Sequence, residues 1–89
     1  MKAIVTVLGR DQVGIIADVC TTLAEHDVNI LDISQTIMQE YFTMIMLVDT
    51  GKSSVAIDEL NTVLKSKMEP KNITILVQAE TIFNSMHRI

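Results

Sequence analysis

The stretch AIVTVLGRDQVGIIADVCTTLAEHDVNILDI, residues 3–33, decides the fold, because its apolar spacing changes twice. Ala3-Ile4-Val5-Thr6-Val7-Leu8 is a near-continuous β-favouring run closed by Gly9, which predicts a strand covered on part of both faces. From Ile15 the apolar positions are Ile15, Ile16, Val19, Cys20 and Leu23, a spacing that paints one face of a helix and leaves Asp18, Thr22 and Glu25 on the wet face. Polar residues at His26-Asp27 end that pattern, and Val28 to Met38 reads as a second strand. Within it Leu31, Ile33 and Ile37 share one parity with Asn29 and Gln35, while Asp32, Ser34 and Thr36 take the other.

Working outward, Gln39-Glu40-Tyr41 separates this strand from a third, Phe42 to Val48, close enough for a hairpin. The turn has no Asn-Gly or Asp-Gly to fix its register. Asp49-Thr50-Gly51-Lys52 breaks the third strand, Ser53 or Ser54 is a candidate helix cap, and Ile57, Leu60, Val63, Leu64 and Met68 give a second helix its buried stripe. Pro70 stops that helix, Asn72 leads into a fourth strand from Ile73 to Ala79, and Ile82, Phe83, Met86 and Ile89 suit a short C-terminal helix over about 81–89. The order βαββαβ is the α+β, ferredoxin-like sandwich, here as a single domain over 1–89 with its core in about 1–80. Right-handed crossovers place the first and third strands in the middle, giving an antiparallel sheet of order 4-1-3-2. Two helices cover one face only. The other face, expected to carry Met and β-branched residues, then needs a second sheet, a tail helix or a partner over it.

Composition bounds the function. With 89 residues, 48% hydrophobic content, three Gly and one Pro, the chain is one folded domain rather than a disordered segment. Core burial in so small a domain roughly balances ordering entropy, so a homodimer or higher oligomer is expected. The lone Cys20 excludes an internal disulfide, and no Cys and His cluster has metal-ligand spacing. Cys20 reads as a small buried hydrophobe in a reducing compartment. Seven basic against eleven acidic residues give a net charge of −4, and aromatics make up 3%, a composition that argues against nucleic acid. The apolar run Ala3 to Leu8 is too short for a signal sequence or a membrane span, so a cytoplasmic location is expected.

The loop Gly9-Arg10-Asp11-Gln12-Val13-Gly14-Ile15 leaves a strand and enters a helix, so its free N–H groups favour an anion by roughly 0.3–1 kcal/mol. Gly9 and Gly14 either allow close backbone approach or are ordinary turn glycines. Metal transfer is excluded because the loop holds no Cys, His or Met. RNA binding is excluded because Tyr41 and Phe42 are better read as packing the hairpin end. The loop superficially resembles the phosphate cradle of acylphosphatases, but that family's phosphate-holding arginine would fall near Ala17 or Asp18, where a carboxylate repels the substrate. His26 and His87 read as surface or helix-end residues, no catalytic set is complete, and no cofactor is expected.

The string Ile4 to Val19, followed by Leu23-Ala24-Glu25-His26-Asp27-Val28-Asn29-Ile30-Leu31-Asp32-Ile33, resembles an ACT domain, and the likeness runs through Phe42-Thr43-Met44 and the second helix. The tail Ile82 to Ile89 is similar to that of small free-standing members related to the glycine cleavage system regulator. The resemblance implies amino-acid sensing at a subunit interface, no chemistry, and a regulated protein as a further partner. Its site would use the backbone around Asp11, Gln12, Val13, Gly14 and Ile15, with Asn29 and Ile30. Helix-end N–H groups suit a carboxylate, and Asp11 or the Asn29 amide carbonyl suits an ammonium. Asp11 reads equally as a helix N-cap, a role that occupies the same donors. Two alternatives stand beside the sensor: an interaction subunit without ligand, and an acylphosphatase-like hydrolase.

Overall fold

The computed structural model describes residues 1–10 and 14–81, apart from the Met38 side chain. Both spacings of the opening stretch become structure: strand β1 (Lys2–Arg10) is followed by helix α1 (Ile15–Glu25), then β2 (Asn29–Met38), β3 (Tyr41–Asp49), α2 (Ile57–Met68), a 3₁₀ turn (Glu69–Lys71) and β4 (Thr74–Ala79). The sheet order is β2-β3-β1-β4 with antiparallel neighbours throughout, which is the expected 4-1-3-2 read from the other edge. The ferredoxin-like βαββαβ layout therefore holds. The expected C-terminal helix falls on residues 82–89, outside the described residues.

One face of the sheet carries the core. Val5 and Val7 of β1, Met44 and Met46 of β3 and Ile75 of β4 are fully or almost fully buried with Val19 and Leu23 of α1 and Leu60, Leu64 and Met68 of α2. The methionines of β3 thus line the covered face, contrary to the expectation that they stand on the uncovered one. The cause is register: Val7 pairs with Met44 and Val5 with Met46, and cross-strand neighbours share a face. The uncovered face interleaves Leu8, Ile45 and Leu76, all exposed, with Thr6 and Thr43.

Four local expectations are corrected. Thr22 was placed on the wet face of α1 but is fully buried, and Ile16, placed in the stripe, is exposed. The Thr22 hydroxyl donates to the Asp18 carbonyl at 2.8 Å, so burial leaves it satisfied. Neither Ser53 nor Ser54 caps α2, whose N-cap is Ala56; the Ser53 hydroxyl instead donates to the Val55 carbonyl at 2.7 Å and accepts from the Val55 N–H at 3.2 Å. The hairpin turn is two residues long, pairing Met38 with Tyr41, because Gln39 adopts φ 55 in place of the absent glycine. Finally, Gly9 does not close β1 but lies inside it.

Gly9 is required by its neighbour. A Cβ there would stand 2.5 Å from Ile73 Cδ1, 3.3 Å from Ile73 Cα and 3.4 Å from the Asn72 carbonyl oxygen. The side-chain atom has freedom to turn away, but the backbone atoms do not. Gly9→Val is expected to lower the unfolding free energy by about 1–3 kcal/mol through overpacking, read as an earlier urea midpoint at unchanged m value.

Candidate functional site

The residues singled out from sequence lie at the two ends of α1. Gly14 is the helix N-cap, in the left-handed region at φ 88, and makes no side-chain cap. Nothing comes within 4 Å of a Cβ built on it, so only its backbone conformation demands glycine. The cap position is therefore Gly14 rather than Asp11, which with Gln12 and Val13 lies outside the described residues. Ile15 is buried at 1% exposure, so only its main chain faces the loop. At the other end Asn29 opens β2 as an exposed residue, and Ile30 is half-buried against the core. The eleven residues of α1 separate the two groups by about 16 Å at ~1.5 Å per residue. One chain does not bring them together.

Asn29 opens onto a recess of about 270 Å³ lined by Asp27, Asn29, Asp49 and Lys52. Asp27 is held there by a turn in the left-handed region (φ 59) that follows α1, its N–H bonded to the Ala24 carbonyl at 3.1 Å. Aspartate tolerates that conformation better than most residues, which explains its place between helix and strand. Asp49 ends β3 directly opposite Asn29. Its Oδ1 accepts the Gly51 N–H at 2.8 Å and lies 3.7 Å from the amino terminus. The Gly51 hydrogen bond first, and the amino terminus and Lys2 after it, hold the Asp49 carboxyl below the usual carboxylate range against a smaller opposing effect of desolvation. Asp49 is thus ionised at neutral pH. None of Asp27, Asp49 and Lys52 was singled out from sequence as a ligand contact. Each sits in a stretch read only as a helix end or strand break, and the topology alone joins the two.

Several other charged groups are engaged elsewhere. Arg10, at the end of β1 where the loop to α1 begins, lies 3.6 Å from Glu40 across the hairpin end. Asp18, in the first turn of α1, pairs with Lys71. Cys20 is half-buried and packs against the core, and burial pushes its thiol up from the ordinary value. His26 terminates α1, its Nδ1 2.8 Å from the Thr22 carbonyl. Among the described residues no group of three or more His, Cys, Asp or Glu is placed to hold a metal ion, and no helix is long and apolar enough to cross a membrane.

The two sheet edges differ. On β4, Asn61 of α2 donates to the Val77 carbonyl at 3.3 Å and accepts the Val77 N–H at 3.2 Å, which occupies that edge. On β2, residues 31–37 are all exposed, including Leu31, Ile33 at 42% and Ile37 at 55%. Cross-strand pairing of Ile33 with Met46 and Ile37 with Phe42 puts both isoleucines on the helix side of the sheet, beyond the cover the helices give. A register shift between Ile30 and Asp32 sets Leu31 apart as a bulge, and the Asp32 carboxylate takes the Ile33 N–H at 2.9 Å.

The ACT domain family profile matches residues 2–78. A UPF0237 protein of Clostridium acetobutylicum is 58% identical over 89 residues, covering 100% of both chains. Among solved structures, an ACT domain protein from Streptococcus pneumoniae is 40% identical and superposes with a TM-score of 0.80 over 93% of each chain. A putative glycine cleavage system transcriptional repressor shares the fold at a TM-score of 0.73 and 20% identity, over 86% of this chain and 44% of that one. With matching strand order, matching profile and a full-length relative at this identity, the chain belongs to the ACT domain family, in its UPF0237 group.

Proposed function

We propose that the protein is a non-catalytic regulatory domain that binds a free amino acid between two copies of the chain. The observation that carries this reading is the recess at Asn29, where carboxylates, a carboxamide and an ammonium face one small space at the end of an open sheet edge. Such a set suits a small zwitterion, and family membership supports a sensing role over catalysis.

The edge supplies the geometry of assembly. Antiparallel pairing of β2 with β2 of a second copy, centred on Gln35, sets Ile33 against Ile37 of that copy and buries both, the second strand taking over the Ile33 N–H from Asp32. Antiparallel pairing also carries Asn29 and Ile30 toward the hairpin end of the second copy, the end at which β1 stops and Gly14 begins α1. The two groups separated within one chain are then neighbours across the dimer. The main chain of Gly14 and Ile15, with Asp11, Gln12 and Val13, receives the ligand carboxylate, and Asn29 receives the ammonium. A regulated protein reads the bound state.

A melt panel over the amino acids tests this. A ligand at a hundred times its dissociation constant adds about 2.7 kcal/mol, which in a domain of this size raises Tm by roughly 10 °C or more. One or a few amino acids are expected to do so. A flat panel would leave the open edge of β2 as a surface for assembly without ligand.

A further inference from the structure

Resting on the β2 pairing above, we propose that Asn61 is a guard on the opposite edge of the sheet, closing the assembly at two copies by standing where β4 of a further copy would add. The order β2-β3-β1-β4 leaves two outer strands. A two-fold through β2 uses one of them in each copy and turns both β4 strands outward, at the two ends of the joined sheet. Pairing through β4 as well would link such dimers into a growing chain, because a second interface on the far edge of each copy does not close on the first.

The main chain of β4 identifies what Asn61 replaces. Its carboxamide donates to the Val77 carbonyl at 3.3 Å and accepts the Val77 N–H at 3.2 Å. That double exchange is the one a residue of an antiparallel neighbour makes. The N–H and C=O of a strand residue leave on the same side, and the side alternates along the strand. With both Val77 groups turned away from β1, those of Ile75 and Ala79 face outward as well, and Asn61 takes the central position of the three. A strand approaching β4 meets the α2 side chain where its middle hydrogen bonds would form. Local preference does not account for Asn61, since asparagine is a poor residue for a helix interior and this one lies in the second turn of α2. On β2 the contrast is plain: the Asp32 carboxylate takes only the adjacent Ile33 N–H, and residues 31–37 stay exposed.

Sedimentation velocity of the full chain over a range of concentrations tests the guard. Asn61→Ala is expected to raise the weight-average mass about twofold or more over the wild type, because joining dimers through β4 at least doubles it. Its melt at low concentration is expected within about 8 °C of the wild type. Asn61→Asp keeps an acceptor for the Val77 N–H and sets a charge over the edge, so it is expected to hold the wild-type mass. Growth equal to that of Asn61→Ala would trace the effect to damage in α2 and overturn the guard. Combining Asn61→Ala with Ile33→Lys and Ile37→Lys separates the two readings: a dimer is expected, formed through β4 alone. If that triple variant is a monomer and Asn61→Ala keeps the wild-type mass, the guard is overturned and the β2 pairing stands. If the wild type is a monomer and Asn61→Ala dimerises, the β2 pairing fails and the guard stands.

Discussion

Replacing Leu64 by alanine is expected to lower the unfolding free energy by about 2–5 kcal/mol, toward the upper end of that range. Leu64 is fully buried in the stripe Leu60, Leu64 and Met68 that docks α2 on the sheet. The cost of such a truncation depends on how far the surroundings close over the lost volume. Here closure is restricted, because the Asn61 side chain holds α2 to both polar groups of the Val77 main chain. A small domain has about 5–15 kcal/mol in total, and each kcal/mol moves Tm by about 4–8 °C, so a fall of roughly 10–30 °C is expected. Val63, half-buried on the same helix, is the control, and Val63→Ala should cost about 1 kcal/mol or less. A Leu64→Ala loss as small as the control's would mean that α2 slides to fill the void, and that the Asn61 clamp does not constrain it.

The clamp also illustrates what the sequence carried and what it did not. β-favouring apolar runs and period-3.6 stripes located each strand and both helices among the described residues, since each element needs its own apolar pattern to bury one face. Handedness then left one strand order, the one observed. The phase of α1 was ambiguous, because Ile15-Ile16 and Val19-Cys20 present two adjacent apolar stripes. Packing chose the stripe that includes Thr22, whose hydroxyl is satisfied by its own helix, and left Ile16 outside. Gly9 read as a turn residue because the close approach comes from Ile73, the residue before β4, more than sixty positions away in the chain. The site divides in the same way. Asn29 was legible through family resemblance, whereas Asp27 and the Asp49 to Lys52 turn meet only because β2 and β3 pair with Asn29 opposite Asp49.

Lysines in place of Ile33 and Ile37 are expected to abolish self-association while leaving the fold intact. Both side chains are already exposed in the single chain, and residues 31–37 add nothing to the buried core, so the unfolding free energy of the isolated domain should move by about 0.5 kcal/mol or less. Across a two-fold centred on Gln35 the same substitutions set four ammonium groups against one another in two facing pairs, in a contact that would otherwise bury aliphatic surface. Charged edge residues are a common means by which sheets refuse strand addition. Sedimentation velocity should therefore give a dimer or larger species for the wild type and a monomer for the double variant. Ile45→Lys is the discriminating control, since Ile45 is similarly exposed at 40% but lies on the uncovered face, pairing with Thr6 and Ser34. It should leave association unchanged. The reverse pattern, with Ile45→Lys monomeric and the β2 variant still associated, would place the interface on the sheet face and separate Asn29 from the second copy's Gly14. The ligand shift gives an independent check: if the site spans two chains, the monomeric β2 variant loses it, even though Asp27, Asn29, Asp49 and Lys52 are all in place.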